Sequence, residues 1–234
     1  GIDSSLIVAV ASQYREKLKT FTVSFDGAFD ESNLAKLTAQ KYNTEHTQIS
    51  ISMNLKNDIE KILLNHGQPF FDSSAIPSFY VSQEAKKYLT VILNGDGADE
   101  IFGGYRRYVP FANNIVKLSS NFSFLTNVLY KPKQKKSLYT YFYRLLKLSS
   151  KKGLEQYTSA LYDIFDDEYD LPFNSIDSKM NAFILSVQNE NISELSKMLY
   201  LDFTLQLYSD LLIKMDIATM SNSLEGRSPF LSKY

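Results

Sequence analysis

The run Asn94-Gly95-Asp96-Gly97-Ala98-Asp99-Glu100-Ile101-Phe102-Gly103-Gly104-Tyr105 places three carboxylates and four glycines directly behind the apolar residues Val91-Ile92-Leu93. That composition suits a ligand loop rather than a packing element. Glycine lets the backbone approach a bound group closely, and carboxylates suit a hard cation such as Mg²⁺ carrying phosphate oxygens. A second cluster opens the chain. Gly1-Ile2-Asp3-Ser4-Ser5 runs into a helical pattern in which Ile2, Leu6, Val10, Tyr14 and Leu18 recur every four residues, with Ile7 and Ala11 beside them. Ser4, Ser5 and the first-turn amides would form an anion site, because unpaired N–H groups and the positive end of the helix dipole favour phosphate; Asp3 would hold a metal shared with it. The same residues also fit an ordinary N-terminal helix cap.

The elements that must position these clusters follow from periodicity. Thr20 to Phe25 and His46 to Ile51 read as strands; Glu31 to Tyr42, Asn54 to Asn65 and Ala75 to Tyr88 read as helices; Thr90 to Leu93 reads as a buried strand. This βαβ spacing predicts an α/β fold with a doubly wound parallel sheet over residues 1–104. Open parallel sheets bind ligands outside the carboxyl ends of their strands, so the three acids would sit in that crevice. From Tyr105 onward glycines become scarce and helical stretches such as Leu138 to Leu148, Met180 to Leu185 and Ile192 to Met220 dominate, so residues 105–234 are expected to be a mainly helical half.

The 234 residues, 44% hydrophobic and 22% charged, suffice for one large core or two small ones. No apolar run approaches the ~20 residues of a membrane span, and no secretory signal is visible, so a cytoplasmic location without a membrane partner is expected. Zero cysteines exclude a disulfide framework and a thiol nucleophile, and the two histidines, His46 and His66, are too few for a His-rich metal site. The net charge of −1 hides an asymmetry: Tyr105 to Leu154 carries 11 Lys and Arg and no acid, whereas Glu155 to Leu231 carries 13 acids against four basic residues. A basic block of this kind is either a nucleic-acid patch or a solvated or domain-facing surface. The second reading is preferred here, because Lys131 to Lys136 reads as an exposed Pro-containing loop.

Three motifs in order, GIDSS, NGDGADEIFGGY and the closing run Lys214-Met215-Asp216-Ile217-Ala218-Thr219-Met220-Ser221-Asn222-Ser223-Leu224-Glu225-Gly226-Arg227-Ser228-Pro229-Phe230-Leu231, resemble the synthetase (ATP pyrophosphatase) domain of glutamine-dependent asparagine synthetases across essentially the whole chain. The resemblance implies an adenine nucleotide alpha-hydrolase-like fold, with ATP and Mg²⁺ as ligands. It implies that Asp3 and Asp99 hold Mg²⁺ and that Gly1, Asp3, Ser4, Ser5, the backbone of Val23, Asn94 and Gly95 contact ATP. It further assigns Asp96 and Glu225 to catalysis and the Asp72-Ser73-Ser74 stretch to the acceptor pocket, where Ser73 or Ser74 equally fits a plain N-cap. Glu225 equally fits a buried salt bridge, Val23 a core strand residue, and Glu100 a surface acid or helix N-terminal charge. Ile217 stands where the family usually has Arg, Ser232 where it usually has Asp, and Asn94 where it more often has Ser.

By this resemblance the expected function is amide formation through an acyl-adenylate, foremost asparagine synthesis from aspartate. The runner-up is the same adenylation of a sugar, peptide or β-lactam-precursor carboxylate. A tRNA-modifying ATP pyrophosphatase ranks third, because GDGADE with GGY belongs to the synthetase branch. The resemblance also places a first strand and a Ser-Gly pair ahead of Gly1, a catalytic Lys beyond the PFL segment, and an ammonia-supplying glutaminase domain outside these residues. The fragment alone is therefore expected to be inactive. A homodimer is left open, and no nucleic-acid partner is expected.

Overall fold

The computed structural model describes residues 1–24, 32–50, 55–68, 70, 72–132, 137–161 and 178–233. Phe25, Glu31, Ile51 and Asn54, expected at element ends, and Lys133 to Lys136 of the basic loop lie outside the described residues. Two compact units make up the chain: Gly1–Ala98 together with Leu205–Tyr234, and Asp99–Thr204. The division falls at Ala98 rather than Gly104. The segment from Leu205 onward returns to the first unit, where Glu225–Arg227 supplies a strand for Val91–Leu93.

In the first unit α1 (Ile2–Ala11) leads to β1 (Lys19–Ser24), α2 (Ser32–Lys41) and β2 (Glu45–Ser50). β1 and β2 pair in parallel from Lys19 opposite Glu45 to Ser24 opposite Ser50. Parallel neighbours need a crossover, and α2 provides it, packing on both strands. Next come α3 (Leu55–His66), α4 (Ala75–Ala85) and β3 (Val91–Leu93), which pairs in parallel with β4 (Glu225–Arg227). The described strands thus form two separate parallel pairs, an α/β arrangement. Ile62, Phe79 and Tyr80 are the core between α3 and α4, with Ile76 against it. Tyr80 donates its hydroxyl to Asp58 Oδ2 at 2.6 Å, tying the two helices.

The apolar stripe of α1 marks its helicity but not a buried face. The helix stops at Ala11, so Tyr14 and Leu18 lie beyond it, and Lys17 takes a positive φ of 53° before β1. Ile2 and Tyr14 are each 85% exposed, and Leu6 and Val10 are about half exposed. No residue of α1 is buried.

The second unit opens within α5 (Ala98–Phe102) and continues through α6 (Val109–Ala112), α7 (Ile115–Ser119), α8 (Leu138–Ser150), α9 (Gly153–Leu161), α10 (Ser178–Gln188) and α11 (Glu194–Leu201). Its helices bury Tyr108, Leu146, Tyr157, Ile184, Met198 and Leu201. The fully buried Asp202 accepts hydrogen bonds from Tyr108 Oη at 2.6 Å and from Arg107 Nη2 and Nε at 2.7 and 3.1 Å. A carboxylate in such a core persists because a guanidinium and a phenol replace its water. Burial and Asp202 together push the Tyr108 hydroxyl far above its ordinary pKa, so it stays a donor. The predicted helix from Ile192 to Met220 is α11, a π-helical segment Asp202–Leu211, and α12 (Leu212–Met220). No helix among the described residues is long and apolar enough to cross a membrane.

Candidate functional site

The loop after β3 is fastened on both sides within the first unit. Asn94 N–H donates to Arg227 O at 2.9 Å, extending the β3–β4 ladder one step past the strand end. The Asn94 Oδ1 accepts from Ser228 Oγ at 2.6 Å and from Asp96 N–H at 3.3 Å, so one side chain ties the loop to the closing motif and shapes its turn. Gly97 has a φ of +88°, and a Cβ there would lie 2.7 Å from Leu231 Cγ. Glycine is thus required twice over, by the backbone angle and by the leucine packed on it. A Cβ on Gly95 would lie 3.2 Å from Asp3 Cβ and 3.6 Å from both Ser4 N and Ser4 Oγ. The backbone of the glycine loop therefore meets Asp3 and Ser4 at the start of α1, far apart in sequence.

At that start Gly1 is the N-cap residue and provides no side-chain cap. Ser4 is exposed and Asp3 half-buried, while Ser5 Oγ donates to Gly1 O at 2.9 Å and lies 3.1 Å from Thr38 Oγ1. Ser4 is thus the exposed one of the two serines, and Ser5 is bonded back onto the helix start. An open cleft lined by Gly1, Ser4, Ser5, Thr20, Thr38 and His46 adjoins this helix end. Val23 sits half-buried in β1 opposite Ile49, a strand position.

Asp99 and Glu100 open the second unit and differ in role. Glu100 is 2% exposed and accepts from Tyr105 Oη at 2.6 Å, so it is neither a surface acid nor a bare helix charge: the GGY turn brings Tyr105 back onto it. Gly103 and Gly104 both donate to Asp99 O, at 2.9 and 3.0 Å, ending α5, and Gly103 has a φ of +74°. A Cβ on Gly104 would lie 2.9 Å from Asp99 Cγ. The second glycine of that pair makes room for the Asp99 carboxylate.

The Asp72-Ser73-Ser74 turn also departs from the capping alternative. Ser74 occupies the N-cap of α4 without making a side-chain cap bond. Its hydroxyl donates to Asp72 Oδ2 at 2.8 Å and accepts from Lys214 Nζ at 2.8 Å, while Asp72 Oδ1 accepts the Ser74 N–H at 2.8 Å. Lys214, 8% exposed, is 3.0 Å from Asp72 Oδ2. Burial works to raise the Asp72 pKa, yet hydrogen bonds from Ser74 and Lys214 outweigh it and hold the carboxyl below its usual range. Asp210 is pushed the other way, by burial and by the Asp72 charge. Lys214 opens the closing motif, whose resemblance assigns it no role. The available signal was its isolation as the single basic residue between Lys197 and Arg227.

Glu225 is exposed and paired with Arg227, Nε to Oε1 2.6 Å, so the buried salt bridge is replaced by a surface one. It lies opposite Val91 at the amino end of β4, and Arg227 is the residue adjoining the loop. Gly226 lies between them along β4, so they are about 7 Å of rise apart. The pairing lowers the Glu225 pKa, through the hydrogen bond first and the Arg227 charge second.

Among the described residues no three Asp, Glu or His side chains gather. Mg²⁺ is characteristically held by one or two carboxylates plus phosphate and water oxygens, so the oxygen donors here suit it in kind.

The family model for asparagine synthase matches residues 1–233. The glutamine-hydrolyzing asparagine synthetase 1 of Bacillus subtilis strain 168 is 34% identical over 256 aligned residues, covering 100% of this chain and 38% of that protein. A putative glutamine-hydrolyzing asparagine synthetase of Mycobacterium tuberculosis strain H37Rv is 28% identical over 241 residues, covering 99% and 36%. The putative asparagine synthetase 2 of Methanocaldococcus jannaschii is 36% identical over 112 residues, covering 47% and 22%. The chain thus spans little more than a third of the length of the first two of these relatives. With the loop after β3, the start of α1 and the closing strand fastened together, and with a family match over nearly every residue, this chain belongs to the asparagine synthase family.

Proposed function

We propose that the chain is the synthetase part of a longer enzyme that makes an amide in two steps. A substrate carboxylate oxygen bonds to the α-phosphorus of ATP and pyrophosphate leaves; ammonia then bonds to the acyl carbon and AMP leaves, with a proton lost from nitrogen. Aspartate is the proposed acceptor and glutamine-derived ammonia the proposed nucleophile, as the names of the relatives suggest. The observation that carries this reading is the contact of Gly95 with Asp3 and Ser4. It puts uncapped helix amides and the exposed Ser4 beside a loop bearing Asp96, the donor set a triphosphate needs.

Each residue then has a task. Gly1, Ser4 and Ser5 receive phosphate oxygens, and Asn94 with Gly95 holds the loop against them. Val23 lines the adenine through its backbone, and Asp96 stands at the reacting centre. Glu225 acts through Arg227, whose guanidinium it holds. Asp3 and Asp99 are the proposed Mg²⁺ carboxylates; the ion would neutralise charge on departing pyrophosphate. The two parallel strand pairs belong, in this reading, to one doubly wound sheet, in a cytoplasmic protein.

The test is exchange of labelled pyrophosphate into ATP by the full-length protein, screened over candidate carboxylates. Aspartate should support exchange, and Asp99→Asn should lower it by at least ~100-fold, the scale for losing a metal-bound charge on a leaving group. Exchange with a sugar, peptide or β-lactam-precursor acid but not aspartate would keep the chemistry and change the product. Exchange that survives Asp99→Asn would remove the metal assignment.

A further inference from the structure

We propose that Lys214 is a positioning residue of the acceptor pocket: it holds Asp72 and Ser74 in one cluster and offsets the Asp72 charge, so that the turn can receive the non-reacting carboxylate of an acidic acceptor. This rests on the acceptor assignment of Asp72-Ser73-Ser74 above. The ammonium comes from the far end of the chain, 142 residues from Asp72, and is almost fully buried at the turn. Two of its three N–H groups are fixed, one on Asp72 Oδ2 at 3.0 Å and one on Ser74 Oγ at 2.8 Å.

The consequence lies in what remains available. Asp72 spends one oxygen on the Ser74 N–H and the other on Ser74 Oγ and Lys214, so its negative charge is consumed within the cluster. Ser74, which would otherwise cap α4, has its hydroxyl engaged in the same cluster. Ser73, between them, is exposed. Without Lys214 the turn would present a bare carboxylate, and an acidic acceptor would meet like charge, which is destabilising in a partly buried site. With Lys214 the Asp72 charge is offset, and of the two acids whose charges meet at this turn, Asp72 and Asp210, only Asp210 is left without that pairing. The placement of Lys214 on α12, which packs on α4, fixes that geometry from a helix rather than a loop.

The experiment compares Lys214→Met and Ser74→Ala with wild type in the full-length protein, using pyrophosphate exchange and separate titrations of aspartate and ATP. Lys214→Met should raise the aspartate KM by at least ~10-fold, the scale of one lost charge-assisted hydrogen bond, and leave the ATP KM within about 2-fold. Ser74→Ala, a smaller change that spares the fold, should raise the aspartate KM by about 3-fold or more. The double variant should be no worse than Lys214→Met alone, because both act through one cluster. An aspartate KM unchanged in both single variants, with only the thermal midpoint lowered, would overturn the proposal and leave a purely structural clamp; aspartate and ATP KM values rising in parallel would overturn it too. If the wild-type protein exchanges pyrophosphate with no carboxylate, the functional reading fails first and this inference with it, a result visible before any variant is made.

Discussion

Replacing Gly97 by alanine tests whether the loop after β3 is held by the closing motif. Two independent costs arise. A non-glycine residue at a φ of +88° is strained by about 1–3 kcal/mol, and a Cβ placed 2.7 Å from Leu231 Cγ adds overpacking of about 1–3 kcal/mol, for a total of about 2–6 kcal/mol. Against a typical total stability of about 5–15 kcal/mol that is a large loss. Leu231→Ala in the same chain should relieve the second cost and leave the first. Denaturant midpoints of wild type, both single variants and the double variant, measured on the full-length protein, form the cycle. The double variant should be more stable than the sum of the singles by at least ~1 kcal/mol, as expected for residues in contact. Pyrophosphate exchange should fall in Gly97→Ala and recover in part with Leu231→Ala. Additivity within about 0.5 kcal/mol would refute the packing argument, because sites that do not touch add to that precision.

Gly104→Ala should act on Asp99 alone: rotating the carboxylate away from the new Cβ costs about 0.5–1.5 kcal/mol in side-chain strain, so thermal unfolding should shift little while pyrophosphate exchange falls by ~10-fold or more. The depressed pKa of Asp72 contributes stability above its unfolded value that is lost as pH falls through its folded value, so Asp72→Asn should flatten the acid limb of the stability profile. Asp210, shifted upward, contributes stability fully present below its unfolded value and lost as pH rises through its folded one, and Asp210→Asn should change the slope in the opposite sense; identical profiles for both variants would contradict the assigned directions. Filter binding of tRNA should be no tighter than that of random RNA of equal length, and a steep salt dependence with a tight complex would restore the basic block as a nucleic-acid surface.

The local chemistry of this chain was legible without coordinates. Acids and glycines behind Val91-Ile92-Leu93 implied a ligand loop, and the glycines at 95, 97, 103 and 104 sit where a close approach, a positive φ or a neighbouring carboxylate disfavours a side chain. Strand and helix periods located β1, α2, β2, α3 and α4 to within a few residues, because those signals depend on neighbours a few positions apart. What only tertiary structure decided are the partners across long separations. Nothing in the period of α1 says that its stripe stays exposed, since burial depends on what packs against it. Ser74 has the composition of a cap, yet a lysine 140 residues away claims its hydroxyl. Glu100 resembled a surface acid until Tyr105 folded back onto it, and Glu225 lies at the amino end of a strand whose carboxyl end adjoins the loop. Residue type and spacing fix what a side chain can do; the fold fixes which other side chain it meets, and hydrogen bonding and charge depend on that meeting.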